Sequence, residues 1–243
     1  EKNMTYKRIV LKLSGETLAP EQIPADKSAS LTFNAERVDR AAAAIAKLAD
    51  LGVQVGVVMG GGNIWRGRFS DEMNPVNADQ MGMLATIINA LAVQDALIRL
   101  GRKATVFTPQ EMTRFAEHYR ADRAIEKMNE GHIVLLAGGS GNPFFTTDTA
   151  STLRALEVNC DAVLKATQVD GVYSADPKKD PNAIRYTDLT YAKVLEDGLK
   201  ATDVTAMALA MDNNLTMVCF GLEEENSIVR VVRGEKIGTT VTN

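Results

Sequence analysis

Residues 53–62, VQVGVVMGGG, decide the fold. Apart from Gln54 and Gly56 the first seven are apolar, with no polar alternation. A strand of that kind is covered on both faces, as the strands of parallel sheets are. It runs straight into Gly60, Gly61 and Gly62, where the missing Cβ lets a ligand or another backbone come close. Upstream, Asn34 is placed to cap an alanine-rich helix that reaches about Leu51 and stops at Gly52. Before it, RIVLKL at residues 8–13 is a short β-rich run ending at Ser14-Gly15. Downstream, Asn77 can cap the next helix, with Gln80 at the capping-box position. That helix carries Met81, Leu84, Ile87, Ile88 and Leu91 at helical spacing, which assigns them to the core, and it ends near Gly101.

The alternation continues to the end of the chain. Strands are predicted at 104–107, 133–137, 162–166, 217–220 and 239–242, and helices at 122–129, 148–158, 202–213 and 228–233. A glycine-rich loop fills 138–147 and a polar, turn-rich loop 168–181. Strand alternating with helix calls for an α/β fold, a largely parallel sheet sandwiched between helices in three layers. The 243 residues suit one large domain or two closely joined lobes. There is no internal repeat. The segment 19–30 has two prolines and no periodicity and is expected to be a mobile surface loop.

The net charge of −4, without a long basic run, argues against a general nucleic-acid binder. Cys160 and Cys219 lie in apolar surroundings without CxxC spacing and read as reduced packing residues. His118 and His132 are too isolated for a zinc site. No continuous apolar run reaches the roughly 18 residues of a membrane span, and no signal peptide opens the sequence. These points favour a cytoplasmic protein with no membrane partner.

In an open parallel sheet ligands bind beyond the carboxyl ends of the strands. Four predicted strand ends carry unusual residues: Lys12, Leu13, Ser14 and Gly15; the triple glycine with Asn63; Gly138, Gly139, Ser140 and Gly141; and Lys165, Ala166 and Thr167. All four fall along one sheet edge. Glycine loops at strand ends let backbone N–H groups approach phosphate oxygens. Neither loop matches the P-loop or dinucleotide fingerprint, and a glycine turn alone can simply serve the backbone. Lys12 and Lys165 sit in apolar strand ends, where a lysine needs an anionic partner or must snorkel to solvent. Arg66 can fork onto a phosphate or remain a solvated loop arginine. Asp148, Asp79 and Asp203 stand near helix starts, as candidates to hold Mg²⁺ or to orient the lysines, or as plain helix-terminal acids. Asp176 can be a ligand or the turn residue before Pro177. Together the loops and lysines point to phosphoryl transfer, which needs cations around the migrating group.

The strings LKLSGE (11–16), VVMGGGNIWRG (57–67), DQMGMLATIINALA (79–92), GSGNPFFTTDTA (139–150), LKATQVDGVYSADPKKDP (164–181), GLKATDVTAMALAMDNN (198–214) and GEKIGTTV (234–241) resemble those of bacterial UMP kinases, within the wider amino-acid-kinase family. The resemblance covers nearly the whole chain in order, and GNPFFTTD is the string that points to UMP. It implies that Lys12, Leu13, Ser14, Gly15, Gly62 and Arg66 serve the ATP phosphates, and that Thr167, Tyr173 and Asp176 hold the rest of ATP. It implies that Gly61, Asp79, Ser140, Gly141, Asn142, Pro143, Phe144, Phe145, Thr146 and Thr147 bind UMP, with Ser140 where threonine is common. Lys12, Arg66, Asp148, Lys165 and Asp203 would carry the catalytic charge organisation. The reaction implied is transfer of the ATP γ-phosphate to UMP, with Mg²⁺ carried by the ATP phosphates and no metal ligand of the protein's own. The acceptor side would be roughly residues 1–160 and the ATP side roughly 161–243.

The resemblance further implies a homohexamer and inhibition by UTP. Many relatives are activated by GTP through a glycine-bearing segment after the first lysine loop; here APEQIPADKSAS (19–30) has no glycine, which argues against that activation. Two rival readings remain at this point. One is a kinase of the same fold acting on a carboxylate or carbamate, against which GSGNPFFTTD stands. The other is a non-catalytic nucleotide- or anion-binding protein, which would not need Lys12, Arg66, Asp148 and Lys165 together.

Overall fold

The computed structural model describes residues 4–20, 33–66, 73–222 and 226–243. Its centre is one sheet with strand order β4-β3-β5-β2-β1-β6-β8-β9-β7 among the described residues. The strands are β1 (Arg8–Leu13), β2 (Gln54–Met59), β3 (Ala104–Thr108), β4 (Glu117–His118), β5 (Ile133–Leu136), β6 (Ala162–Thr167), β7 (Asp188–Thr190), β8 (Thr216–Gly221) and β9 (Thr239–Thr242). From β4 to β8 neighbours pair parallel; β8 and β9 pair antiparallel, and β9 pairs parallel with β7. The sheet is therefore largely parallel, as the strand–helix alternation predicts.

The two-residue period of the strands sends alternate side chains into two cores. Ile9, Leu11 and Leu13 of β1 face one side, with Val55, Val57 and Met59 of β2. That side is covered by α1 (Ala35–Asp50), α2 (Pro75–Arg99) and α7 (Ser227–Val232). Val10, Val58 and Val163 face the other side, under α3 (Ala121–Asn129), α4 (Thr147–Glu157), α5 (Tyr191–Glu196) and α6 (Val204–Asp212). α1 begins as expected, with the Asn34 side chain accepting from Arg37 N at 3.0 Å. It is followed by Gly52 at φ +79°.

α2 departs from its prediction twice. It starts at Pro75 with Asn74 as cap, accepting from Val76 N at 2.9 Å, so Asn77 and Gln80 lie inside the helix. Pro fits the first helical position because its missing N–H has no partner there anyway. Of the apolar residues assigned to the core, only Ile87 is fully buried, and Leu91 partly. Met81, Leu84 and Ile88 are 39%, 47% and 46% exposed. Helical spacing identifies one face but not what covers it. By length and mean hydropathy α2 would also pass for a membrane span, but no continuous apolar run in it does, and 44% of its most apolar window is buried inside the fold.

Four short elements went unread in the sequence: β4, β7, α5 and a 3-10 turn at Gly15–Leu18. Each is too short for periodicity to register. Cys219 is buried as expected, whereas Cys160 is only partly so. Except for Ala19 and Pro20, the segment 19–30 lies outside the described residues.

Candidate active site

β1 and β6 are adjacent and parallel, and their register sets Lys12 directly beside Lys165. Both side chains leave the sheet on the α4 face, following Val10 and Val163 by two residues. Asp148, in the first turn of α4, receives both. Lys12 Nζ lies 2.7 Å from Asp148 Oδ1, and Lys165 Nζ lies 2.5 Å from Asp148 Oδ2. Lys165 also donates to Ala201 O at 2.9 Å, and Thr202 Oγ1 donates to Asp148 Oδ2 at 3.1 Å. Both lysine side chains are only 13% exposed, so they do not snorkel to solvent. Burial alone would raise the Asp148 carboxyl, but the two ammonium charges outweigh it and hold it at about 2. Asp148 is thus an anion bracketed by two cations.

Asp203 caps α6, accepting from Ala206 N at 2.8 Å. The same carboxylate accepts from Thr149 Oγ1 at 2.9 Å and from the Thr146 hydroxyl. Thr146 in turn caps α4, accepting from Asp148 N at 3.1 Å and Thr149 N at 3.2 Å. Asp203 is therefore linked to Asp148 by hydrogen bonds through the N-terminus of α4.

The loops after β1 and β2 are packed backbone to backbone. Gly60 N donates to Leu13 O at 2.9 Å. A Cβ on Gly15 would collide with Asn63 Oδ1 and come within 2.7 Å of Gly60 O, so only glycine fits there. A Cβ on Gly61 would meet Ala85 at 2.9 Å, against α2. The fully buried Asn89 of α2 donates to Gly60 O at 2.6 Å and exchanges amide hydrogen bonds with Asn63. Arg66 Nε donates to Gly62 O at 2.9 Å, and its guanidinium pairs with Glu16, which also accepts from Ser14 Oγ. Burial would raise the Glu16 carboxyl, but the Ser14 hydrogen bond and the charges of Arg66 and Lys12 bring it below its ordinary value. Arg66 is thus ion-paired, not simply solvated.

On the far side of the triple glycine a cleft opens between α2 and the loop after β5. Gly61, Asp79, Gly82, Met83, Ser140 and Phe145 are among its lining residues, and Gly139, Asn142 and Thr147 add to its loop side. Asp79 Oδ2 accepts from Phe144 N at 2.6 Å, tying helix to loop. The loop bends sharply: Gly138, Gly139 and Gly141 have φ of +76°, +61° and +91°. Phe144, at φ +70° and 72% exposed, shares that conformation, which is strained for a bulky residue and characteristic of functional loops. Thr86 of α2 holds the loop's base, accepting from Gly138 N at 2.9 Å.

At the end of β6, Thr167 donates to Phe220 O at 3.1 Å and to Val169 O. Tyr173 donates to Asp170 Oδ1 at 2.6 Å, and Asp170 pairs with Arg185. Asp176 Oδ1 accepts from Lys178 N at 3.0 Å, so in this structure it is a turn residue. Thr167 pairs with Gly221 of β8, and Tyr173 forms an isolated antiparallel bridge with Arg185.

The amino acid kinase family model matches residues 7–221. The uridylate kinase of Bacteroides thetaiotaomicron is 47% identical over 240 residues, covering 98% of this chain and 99% of that relative. That of Parabacteroides distasonis is 46% identical over 241 residues, with the same shares covered. This chain belongs to the amino acid kinase family, among its uridylate kinases. The fold agrees. The UMP kinase of Bacillus anthracis superposes with a TM-score of 0.91 at 38% identity, over 98% of this chain and 96% of that one. The UMP kinase of Ureaplasma parvum gives 0.90 at 34% identity, over 99% and 100%.

A family kinase needs a divalent ion with its ATP. The described residues offer no group of three His, Cys, Asp or Glu side chains to hold one. Asp148, the acid nearest the lysines, spends both oxygens on them. Asn89, Thr86 and Glu16 are site residues that sequence reasoning missed. A polar side chain among the apolar residues of α2 was the available signal for the first two. For Glu16 the signal was its place beside Ser14-Gly15.

Proposed function

We propose that this chain transfers the γ-phosphate of ATP to UMP, giving UDP and ADP, in pyrimidine nucleotide synthesis. The observation that carries the reading is the Lys12–Asp148–Lys165 triplet, set at adjacent strand ends beside the glycine loop of residues 60–62. Each ammonium has three donors, and an incoming phosphate can take those that Asp148 and, for Lys165, Ala201 O leave. Asp148 holds both lysine side chains in place without neutralising the pair. The triplet and Arg66 then face the charge that spreads over the migrating group, where preset cations contribute most.

UMP would occupy the cleft of Gly61, Asp79 and the loop Ser140, Gly141, Asn142, Pro143, Phe144, Phe145, Thr146 and Thr147. ATP would lie along Lys12, Leu13, Ser14, Gly15 and Gly62 toward Thr167, Tyr173 and Asp176, entering with Mg²⁺ on its phosphates. The first 160 residues or so would then form the acceptor side and the remainder the ATP side. The attacking UMP phosphate is already anionic near neutral pH, so no general base is needed and no phospho-enzyme forms. UTP shares base and ribose with UMP and would inhibit from the same cleft. GTP would activate weakly or not at all. We place the enzyme in the cytoplasm, as a homohexamer.

A coupled assay offering ATP with UMP, CMP, AMP, aspartate and acetylglutamate separately tests the reading. UMP should be the substrate and CMP much poorer. Equal rates on CMP and UMP would make it a general pyrimidine kinase, and turnover of aspartate or acetylglutamate alone would overturn the acceptor assignment.

A further inference from the structure

Arg154 is 4% exposed, yet nothing in the transfer chemistry uses it. It lies two turns into α4, and helical side chains lean back toward their helix's N-terminus. Its side chain reaches the loop that precedes α4. Nη2 donates to Gly139 O at 3.2 Å and to Ser140 O at 3.3 Å. Nη1 donates to Glu157 Oε2 at 2.7 Å. The guanidinium carbon sits 4.0 Å from the centre of the Tyr119 ring. Tyr119 donates its hydroxyl to the same Glu157 Oε2 at 2.7 Å and packs edge-on against Phe107, with ring centres 6.3 Å apart. The Tyr119 backbone is fixed as well, donating to Thr108 O at 2.9 Å.

A buried guanidinium requires partners for its donors, and this one commits two bonds to loop carbonyls. In a trans peptide the carbonyl and the following N–H point opposite ways. With Gly139 O turned onto Arg154, the Ser140 N–H is turned away from it. Gly141 N–H is already used, closing the turn on Gly138 O at 3.2 Å. Gly139 and Ser140 both line the cleft beside Asp79. Lysine would keep the charge but lose both the fork and the stacking on Tyr119.

We propose that Arg154 is a positioning residue for the acceptor nucleotide: it fixes the Gly139–Ser140 wall of the cleft, braced by Glu157 and Tyr119. The proposal rests on the reading of the 139–147 loop as the UMP site. Steady-state kinetics of Arg154→Lys and Arg154→Ala test it, alongside Asn142→Ala and Phe145→Ala in the loop itself. The Arg154 variants should raise KM for UMP about tenfold or more while KM for ATP moves less than about twofold. Millimolar guanidinium should partly restore KM for UMP in Arg154→Ala, an effect that a merely structural role would not produce. If Arg154→Ala does not fold, Arg154→Lys decides alone. An unchanged KM for UMP in folded Arg154→Lys, or equal rises in both KM values with a lower Tm, overturns the proposal. If Asn142→Ala and Phe145→Ala raise KM for UMP and Arg154→Lys does not, only the role of Arg154 falls. If the loop variants leave KM for UMP in place, the loop assignment falls and the proposal with it.

Discussion

Lys12 and Lys165 are neighbours across two parallel strands, and their ammonium groups would repel if no anion stood between them. Asp148 is that anion. Removing one partner of a buried ionic group leaves the others uncompensated, which costs about 3–5 kcal/mol. Asp148→Asn should therefore lower unfolding stability by an amount of that order. Adding Lys165→Met should recover part of it, because the pair is coupled and the effects are not additive. Lys12→Ala should lower kcat by about 10²-fold, as loss of a transition-state donor does. Denaturant titration and initial rates check these outcomes. A folded Lys12→Ala enzyme with full kcat would reduce the lysine to a strand-end device. The sequence marked both lysines as anomalies, since each interrupts an apolar strand end. It could not pair them with Asp148, because that needs the register of β1 against β6 and the start of α4. Nor could it say that Asp203 works through a cap, since a helix-terminal acid looks the same in either role.

At the scale of elements, α2 does three jobs along its inner face. Its later turns pack on the sheet through Ile87, Ala90, Val93 and Leu97. Its first turns supply Asp79, Gly82 and Met83 to the cleft. Asn89, fully buried, ties the helix to the glycine loop. An amide in that position holds Gly60 O and Asn63 where water cannot replace it. Asn89→Leu should remove the hydrogen bonds to Gly60 O and Asn63 and lower stability by about 1–3 kcal/mol. The triple glycine should loosen with it, lowering kcat/KM. Urea unfolding with parallel kinetics measures both, and an unchanged midpoint would show that the loop re-pairs without the amide. The long strands and helices were legible because their periods repeat. The start of α2 was misread because Asn74-Pro75 and Asn77–Gln80 both look like helix starts, and only the backbone chooses between them. Arg154 was invisible for a related reason: an arginine in a helix reads as surface until the fold brings Tyr119 and Glu157 around it.

At the scale of the whole molecule, the stripe of Met81, Leu84 and Ile88 is left exposed by the single 26.3 kDa subunit. These residues recur at i, i+3 and i+7, so they form one continuous apolar line along α2. Ile98 and Leu100, 56% and 47% exposed, add apolar area where the helix ends. Solvated apolar area of this kind is stabilised by covering it, and a helix stripe can cover itself across a two-fold axis. Charges are nearly absent from the Met81–Ile88 stretch, so nothing opposes the approach of a second copy. The apolar period that the sequence wrongly assigned to the core would in such an assembly be covered between subunits. Because Asp79 and Met83 share this helix, an assembly built on it would also stiffen the cleft wall. Light scattering behind size exclusion should report a mass several times 26.3 kDa for the native chain. The double substitution Leu84→Glu, Ile88→Glu should reduce it to a smaller species, because two buried like charges facing their copies cannot be accommodated. Far-UV circular dichroism should stay native-like, since both positions lie outside the subunit core. A monomeric native chain, or a double variant that assembles unchanged, would show that this stripe is not the interface.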